Sequence, residues 1–167
     1  MTIAEFDHLE TEKKKELLQK CCGSSAWVNK MLNAPVANDL IDLLEDAEDK
    51  WNECTPEEKQ EAFQHHPMIG DVQSIKEKFA STAAWANEEQ KGVSEISEDL
   101  AKEFAYANKK YHEKFGYIFI VFATGKSAKE MLDILQKRFN NTAEDEIKIA
   151  ADEQLRITQN RLEKLFK

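Results

Sequence analysis

The sequence predicts an all-α fold, a single-domain compact multi-helix bundle spanning residues 1–167. Three observations carry that expectation. Glycines (5) and prolines (3) are scarce, and few breakers favour long helices over turn-rich β structure. Helix-start signals recur along the chain, and apolar residues return at helical spacing behind them. The length is that of one domain, which can bury a core without a disulfide or metal.

Taken in order, Thr11 to Cys22 reads as a helix stopped at Gly23, where a glycine relieves a left-handed cap. Asn38 can cap a helix whose Leu40, Leu43, Leu44, Ala47 and Trp51 share one face. Thr55-Pro56-Glu57-Glu58 combines a capping box with a proline in the first turn, and opens a helix to about Gln64. Residues 65–71 break it, because Pro67 pushes His66 out of the α region. Helical signals resume at Gln73–Phe79 and at Thr82–Gln90. Ser97 opens a long helix carrying Leu100, Phe104, Ala107, Tyr111 and Phe115, and Gly116 ends it. Tyr117 to Phe122 is the strand-like run. A lone strand is unstable in water, so this run is either a buried extended segment or an irregular helix. Ser127 with Glu130 starts a helix to about Phe139, and Thr142 caps the last one.

The formal net charge is −9, with 33% charged and 41% hydrophobic residues. An acidic chain without a Lys/Arg block lacks the clustered cations that bind nucleic acid or an anionic membrane. Attraction of an anionic ligand must therefore be local. Cys21, Cys22 and Cys54 form no CxxC pair and no zinc spacing, so the expectation is buried, reduced thiols and no metal. The first residues, MTIAEFDHLETEKKK, hold no apolar segment of a signal peptide, and no apolar run approaches the roughly 20 residues of a membrane span. The final LEKLFK is not a peroxisomal address. The protein is read as cytoplasmic.

Chemistry could reside in three places. A histidine followed by proline at a helix end, His66-Pro67, is pre-oriented and titrates near neutral pH, which suits a general acid or base. The alternative is a histidine that caps the helix C-terminus. His65 shares the composition argument without the direct proline constraint. Ala86-Asn87-Glu88-Glu89-Gln90 sets a carboxylate beside a carboxamide, a pair that can grip a polar heterocycle. It can equally be a solvated helix end. Arg161 falls at the edge of the last helix's inner stripe, about 40° from Ile147. Gln154 and Thr158 give that stripe a polar strip. Such an arginine can hold a carboxylate in a bidentate fork, or can snorkel to water. His112-Glu113 is not an HExxH site, because residue 116 is Gly.

Read together, these stretches resemble the 2-oxo-4-hydroxy-4-carboxy-5-ureidoimidazoline (OHCU) decarboxylase family. The resemblance runs from about Asp39 to the end. It rests on Ala62-Phe63-Gln64-His65-His66-Pro67-Met68-Ile69-Gly70-Asp71, on Ala83 to Val93 with its Glu89-Gln90, and on Phe104, Asn108, Tyr111 and Lys114-Phe115-Gly116-Tyr117-Ile118-Phe119-Ile120. It closes on Arg138-Phe139-Asn140-Asn141, Glu146, Ala150 and Arg161-Leu162.

The resemblance implies an all-helical, cofactor-free homodimer that removes CO2 from OHCU to give (S)-allantoin in urate degradation. It implies His66 and Glu89 as catalytic residues. Gln90, Arg161, Ala86, Pro67 and backbone groups at Ile120 and Val121 would meet the substrate. Two positions depart from the pattern: Ala86 stands where many members have Ser, and Ile118 where many have Pro. Those departures keep open a non-catalytic helical ligand-binding or interaction domain of the same fold. A metal-dependent hydrolase using His65, His66 and a carboxylate, or a structural dimer module, would be further alternatives.

Overall fold

Hydroxyl and carboxylate side chains start the helices. Thr2 caps α1 (Ile3–Asp7) and Thr55 caps α5 (Pro56–Gln64), each in a reciprocal capping box with a glutamate three residues on. Ser24 caps α3 (Ser25–Leu32) and Asp39 caps α4 (Leu40–Asn52). Helix α2 (Thr11–Cys21) begins after Glu10 with no side-chain cap. Ser97 caps α6 (Glu98–Phe115), Ser127 caps α7 (Ala128–Arg138) in a capping box with Glu130, and the Thr142 hydroxyl accepts from Asp145 N at the start of α8 (Ala143–Leu165). The computed structural model describes residues 1–66, 71–77 and 96–166. Residues 72–77 are also helical, and no strand occurs among the described residues. The fold is all-α, as the sequence predicts. The expected helix at Thr82–Gln90 lies outside the described residues.

Local differences from the expectation have physical reasons. Asp39, not Asn38, caps α4; Asn38 instead donates from its backbone and its side chain to Asp42, one turn into the helix. Gly23 is not a left-handed stop: among the described glycines only Gly116 and Gly125 have positive φ. Helix α2 ends on an extended Cys22. Gly116 does adopt the left-handed cap of α6, at φ 81°. Tyr117–Phe122 is neither helix nor strand, which sets aside the irregular-helix reading, and Tyr117 and Ile120 are buried.

The chain divides into two compact units, Met1–His66 with Ile147–Lys167, and Pro67–Glu146. In the first, α3 packs on α2, α4 and α5. Its core holds Leu18, Trp27, Val28, Ala47, Phe63 and Leu162, all at 2% exposure or less. The two tryptophans among the described residues are buried and satisfy their indole N–H on helix carbonyls: Trp27 Nε1 donates to Ala47 O at 2.9 Å, and Trp51 Nε1 to Ala151 O at 3.0 Å. The second bond links α4 to α8 across 100 residues of sequence. In the second unit α6 packs on α7 around Ala101, Phe104, Met131, Leu132 and Leu135. Tyr111 anchors an aromatic cluster there, with ring centroids 4.7 Å from Phe115, 6.0 Å from Tyr117 and 5.5 Å from Phe119.

Candidate active site

The inner face of α8 carries polar side chains where helix packing would ordinarily place apolar ones. Gln154 is 0% exposed and Thr158 is 1% exposed. Buried amides and hydroxyls need partners, and each finds them. The Thr158 hydroxyl donates to Gln154 O at 3.0 Å, one turn back on the same helix. Gln154 Nε2 donates to Thr158 Oγ1 at 3.3 Å. Gln154 Oε1 then meets His66 Nε2 at 2.5 Å. A bond across 88 residues thus ties the last turn after α5 to the middle of α8.

Helix α5 brings His66 to that position. It ends at Gln64, His65 forms its C-cap, and His66 N donates to Phe63 O at 3.3 Å. The half-buried His66 therefore leaves the helix with its ring aimed at α8. His65 does not share this site. Its ring lies against Gly23 so closely that a Cβ on Gly23 would overlap it. That contact is the reason for a glycine between α2 and α3. We expect Gly23→Ala to cost about 1–3 kcal/mol, the usual penalty of overpacking. Because the displaced residue adjoins His66, kcat should fall more than KM rises. Urea unfolding and steady-state kinetics on one preparation would check both effects.

Arg161 sits seven residues beyond Gln154 on α8, roughly 10 Å along the axis at 1.5 Å per residue. Its Nη1 donates to Lys20 O at 3.3 Å and to Cys21 O at 3.2 Å. The guanidinium therefore caps the C-terminal carbonyls of α2, where a cation also meets the negative end of the helix dipole. This is neither a purely snorkelling arginine nor a side chain reserved for a ligand. His66 and Arg161, both singled out in the sequence, thus stand at the two ends of one polar row on the first unit, with Gln154 and Thr158 between them.

Burial pushes the nearby thiols up: Cys21 to about 11 and Cys22 to about 12, the Arg161 cation opposing the shift only in part. Both stay protonated at neutral pH and are inert, as expected of buried cysteines.

Ile120 and Val121 belong to the second unit, where a buried ion pair fixes their backbone. Arg138 Nη1 donates to Ile120 O at 2.7 Å. Arg138 Nε donates to Glu146 Oε1 at 2.8 Å, and Nη2 lies 2.6 Å from the same oxygen. Tyr111 OH donates to Glu146 Oε1 at 2.5 Å and Asn141 Nδ2 to Oε2 at 3.0 Å, so both carboxylate oxygens are engaged. The Arg138 guanidinium also covers the Phe119 ring at 4.6 Å. Burial, reinforced by the bond to Glu146, pushes the Tyr111 phenol far above its ordinary value and keeps it a donor. Sequence reading found Arg138 and Glu146 only through resemblance. The available signal was an acid on the buried side of α8 that demanded a cationic partner.

Pro67, Ala86, Glu88, Glu89 and Gln90 lie outside the described residues. Among the described residues no group of three or more His, Cys, Asp or Glu side chains is gathered as a metal site.

Comparison with known proteins places this geometry in a family. The profile of OHCU decarboxylases matches residues 7–163. The uric acid degradation bifunctional protein TTL of Arabidopsis thaliana is 36% identical over 150 residues, 87% of this chain and 45% of that protein. The chain thus spans less than half the length of that relative. The 2-oxo-4-hydroxy-4-carboxy-5-ureidoimidazoline decarboxylase of Haloferax volcanii is 22% identical over 167 residues, 99% of this chain and 96% of that protein. The crystal structure of an OHCU decarboxylase in the presence of (S)-allantoin matches with a TM-score of 0.70 at 33% identity, covering 95% of this chain and 99% of that one. With the family profile spanning nearly the whole sequence, the chain belongs to the OHCU decarboxylase family.

Proposed function

We propose that this chain is a carboxy-lyase that converts OHCU to (S)-allantoin and CO2 in urate degradation, without a cofactor, as one domain spanning residues 1–167. Family membership supports the reaction class. The observation that carries the site is the row on α8: a histidine held by a buried amide at one end and an arginine anchored by backbone carbonyls at the other.

The substrate bears a hydroxyl and a carboxylate on one ring carbon. Breaking the bond to the carboxylate releases CO2 and leaves an electron pair that the ring delocalises towards the neighbouring, ureido-bearing carbon. Loss of the hydroxyl proton turns that hydroxyl into the ring carbonyl, and one proton delivered to one face of the ureido-bearing carbon completes the product. Decarboxylation therefore needs an oriented carboxylate, stabilisation of the developing anion and a proton donor on one side. In this reading His66 manages the hydroxyl proton or the incoming one, and Glu89 acts with it as the second catalytic group. Gln90 orients the ring. Ala86, Pro67 and backbone groups at Ile120 and Val121 are the further substrate contacts of this reading. Arg161 holds an anionic or carbonyl oxygen with the part of its planar fork not turned to α2.

A homodimer in the cytoplasm, with no nucleic-acid or membrane partner, completes the proposal. Among the described residues no helix is long and apolar enough to cross a membrane.

The experiment is direct. OHCU is generated in situ from urate with urate oxidase and 5-hydroxyisourate hydrolase, and its ultraviolet band is followed after the protein is added. The proposal expects decay far faster than in buffer, and a spontaneous rate would refute it.

A further inference from the structure

We infer that Gln154 is a positioning residue for His66: its amide, oriented by Thr158, holds the proton of the neutral imidazole on Nε2 and so makes Nδ1 the atom that takes up and returns the proton during turnover. The inference rests on the decarboxylase reading of His66 and deepens it.

The Thr158 hydroxyl has one proton, and it is committed to the Gln154 backbone carbonyl at 3.0 Å. Its oxygen can then only accept from Gln154, whose Nε2 lies 3.3 Å away. With the amide nitrogen turned to Thr158, Gln154 presents its oxygen to His66. An amide oxygen has no proton to give, so at 2.5 Å the hydrogen must be carried by His66 Nε2. The neutral ring is thereby fixed as the Nε2–H tautomer, with its lone pair on Nδ1.

The choice of an amide matters for a residue that must cycle between two charge states. The N–H of Nε2 is present in both the neutral ring and the imidazolium, so Gln154 holds the ring unchanged while a proton enters and leaves at Nδ1. A carboxylate in the same place would favour the cation and hinder return of the proton. Burial adds precision. Gln154 at 0% exposure and Thr158 at 1% cannot exchange these bonds for water, so the amide has one satisfied orientation.

The test is made on the whole chain labelled with 15N-histidine. The four histidines give separate imidazole signals in long-range proton–nitrogen spectra, and His66 is assigned by its loss in His66→Gln. At a pH where the ring is neutral, the wild-type protein should show His66 as the Nε2–H tautomer; an Nδ1–H tautomer would overturn the inference without any variant. Thr158→Val, nearly isosteric, should yield a tautomer mixture. It should also lose about tenfold or more in kcat with KM little changed, part of the roughly 10²–10⁴-fold that a positioned acid–base group supplies. Gln154→Leu should do the same, and Gln154→Glu, which keeps an acceptor for Nε2–H, should retain more turnover than Gln154→Leu. An unchanged tautomer in Thr158→Val would remove Thr158 from the relay. If the wild-type protein shows the Nε2–H tautomer but never consumes OHCU, the decarboxylase reading fails while the hydrogen-bond assignment stands.

Discussion

His66→Ala is expected to remove nearly all OHCU turnover while leaving the helical circular dichroism intact. The ring lies at the end of α5, half-buried, and bonds Gln154 across 88 residues of sequence. Its removal leaves the Gln154 oxygen without that donor, so a cost of about 1–3 kcal/mol is expected for an unsatisfied buried polar group. A domain of this size tolerates that loss near room temperature. The catalytic loss should be far larger. A positioned acid–base group contributes roughly 10²–10⁴-fold, and no neighbouring imidazole can substitute. His65 is adjacent in sequence, but its ring is packed on Gly23. kcat should therefore collapse while urea unfolding changes modestly. Turnover within about twofold of wild type would remove His66 from the chemistry.

The second large effect concerns stability. Arg138→Leu takes from Glu146, at 0% exposure, its partner cation, and strips the Ile120 carbonyl of its donor. Breaking a buried pair by deleting one partner costs about 3–5 kcal/mol, because the remaining charge is uncompensated. At about 2–4 °C per kcal/mol for a chain of this length, the melting temperature should drop by roughly 10 °C. Thermal unfolding measures it directly. Replacing both partners, as in Arg138→Met with Glu146→Leu, should recover part of the loss, since no charge is then stranded. The same arginine fixes the peptide after Ile120, so any folded Arg138→Leu protein should also bind substrate more weakly. A drop below about 1 kcal/mol would show that the network is not what holds the segment.

These two cases mark where the sequence was informative. Helices α4 to α8 announce themselves through caps and apolar spacing, and α6 even through its terminal Gly116, whereas α2 was bounded only by a breaker after it. Helices α1 and α3 are only 5 and 8 residues long, too short for a periodic pattern, although the Thr2–Glu5 capping box was there to be read. Gly23 shows the limit of local reasoning. After a helix it looks like a left-handed cap, but its cause is the His65 ring, 42 positions away in sequence and invisible to any window. The site divides the same way. His66 stands out because Pro67 follows it, and Arg161 because it borders a stripe. Gln154 and Thr158 were visible as a polar strip, yet their reason for being polar is a histidine that only tertiary structure brings to them. The Arg138–Glu146 pair is local enough to be guessed, but its grip on Ile120 is not.

The most direct test of the central claim is the handedness of the product. OHCU made in situ is incubated with the protein and the allantoin formed is examined by circular dichroism as it appears. A decarboxylase that delivers one proton to one face gives optically active (S)-allantoin at a rate proportional to protein. Racemic allantoin forming at the rate seen in buffer would contradict the account, leaving a member of the family that keeps the helices without the chemistry.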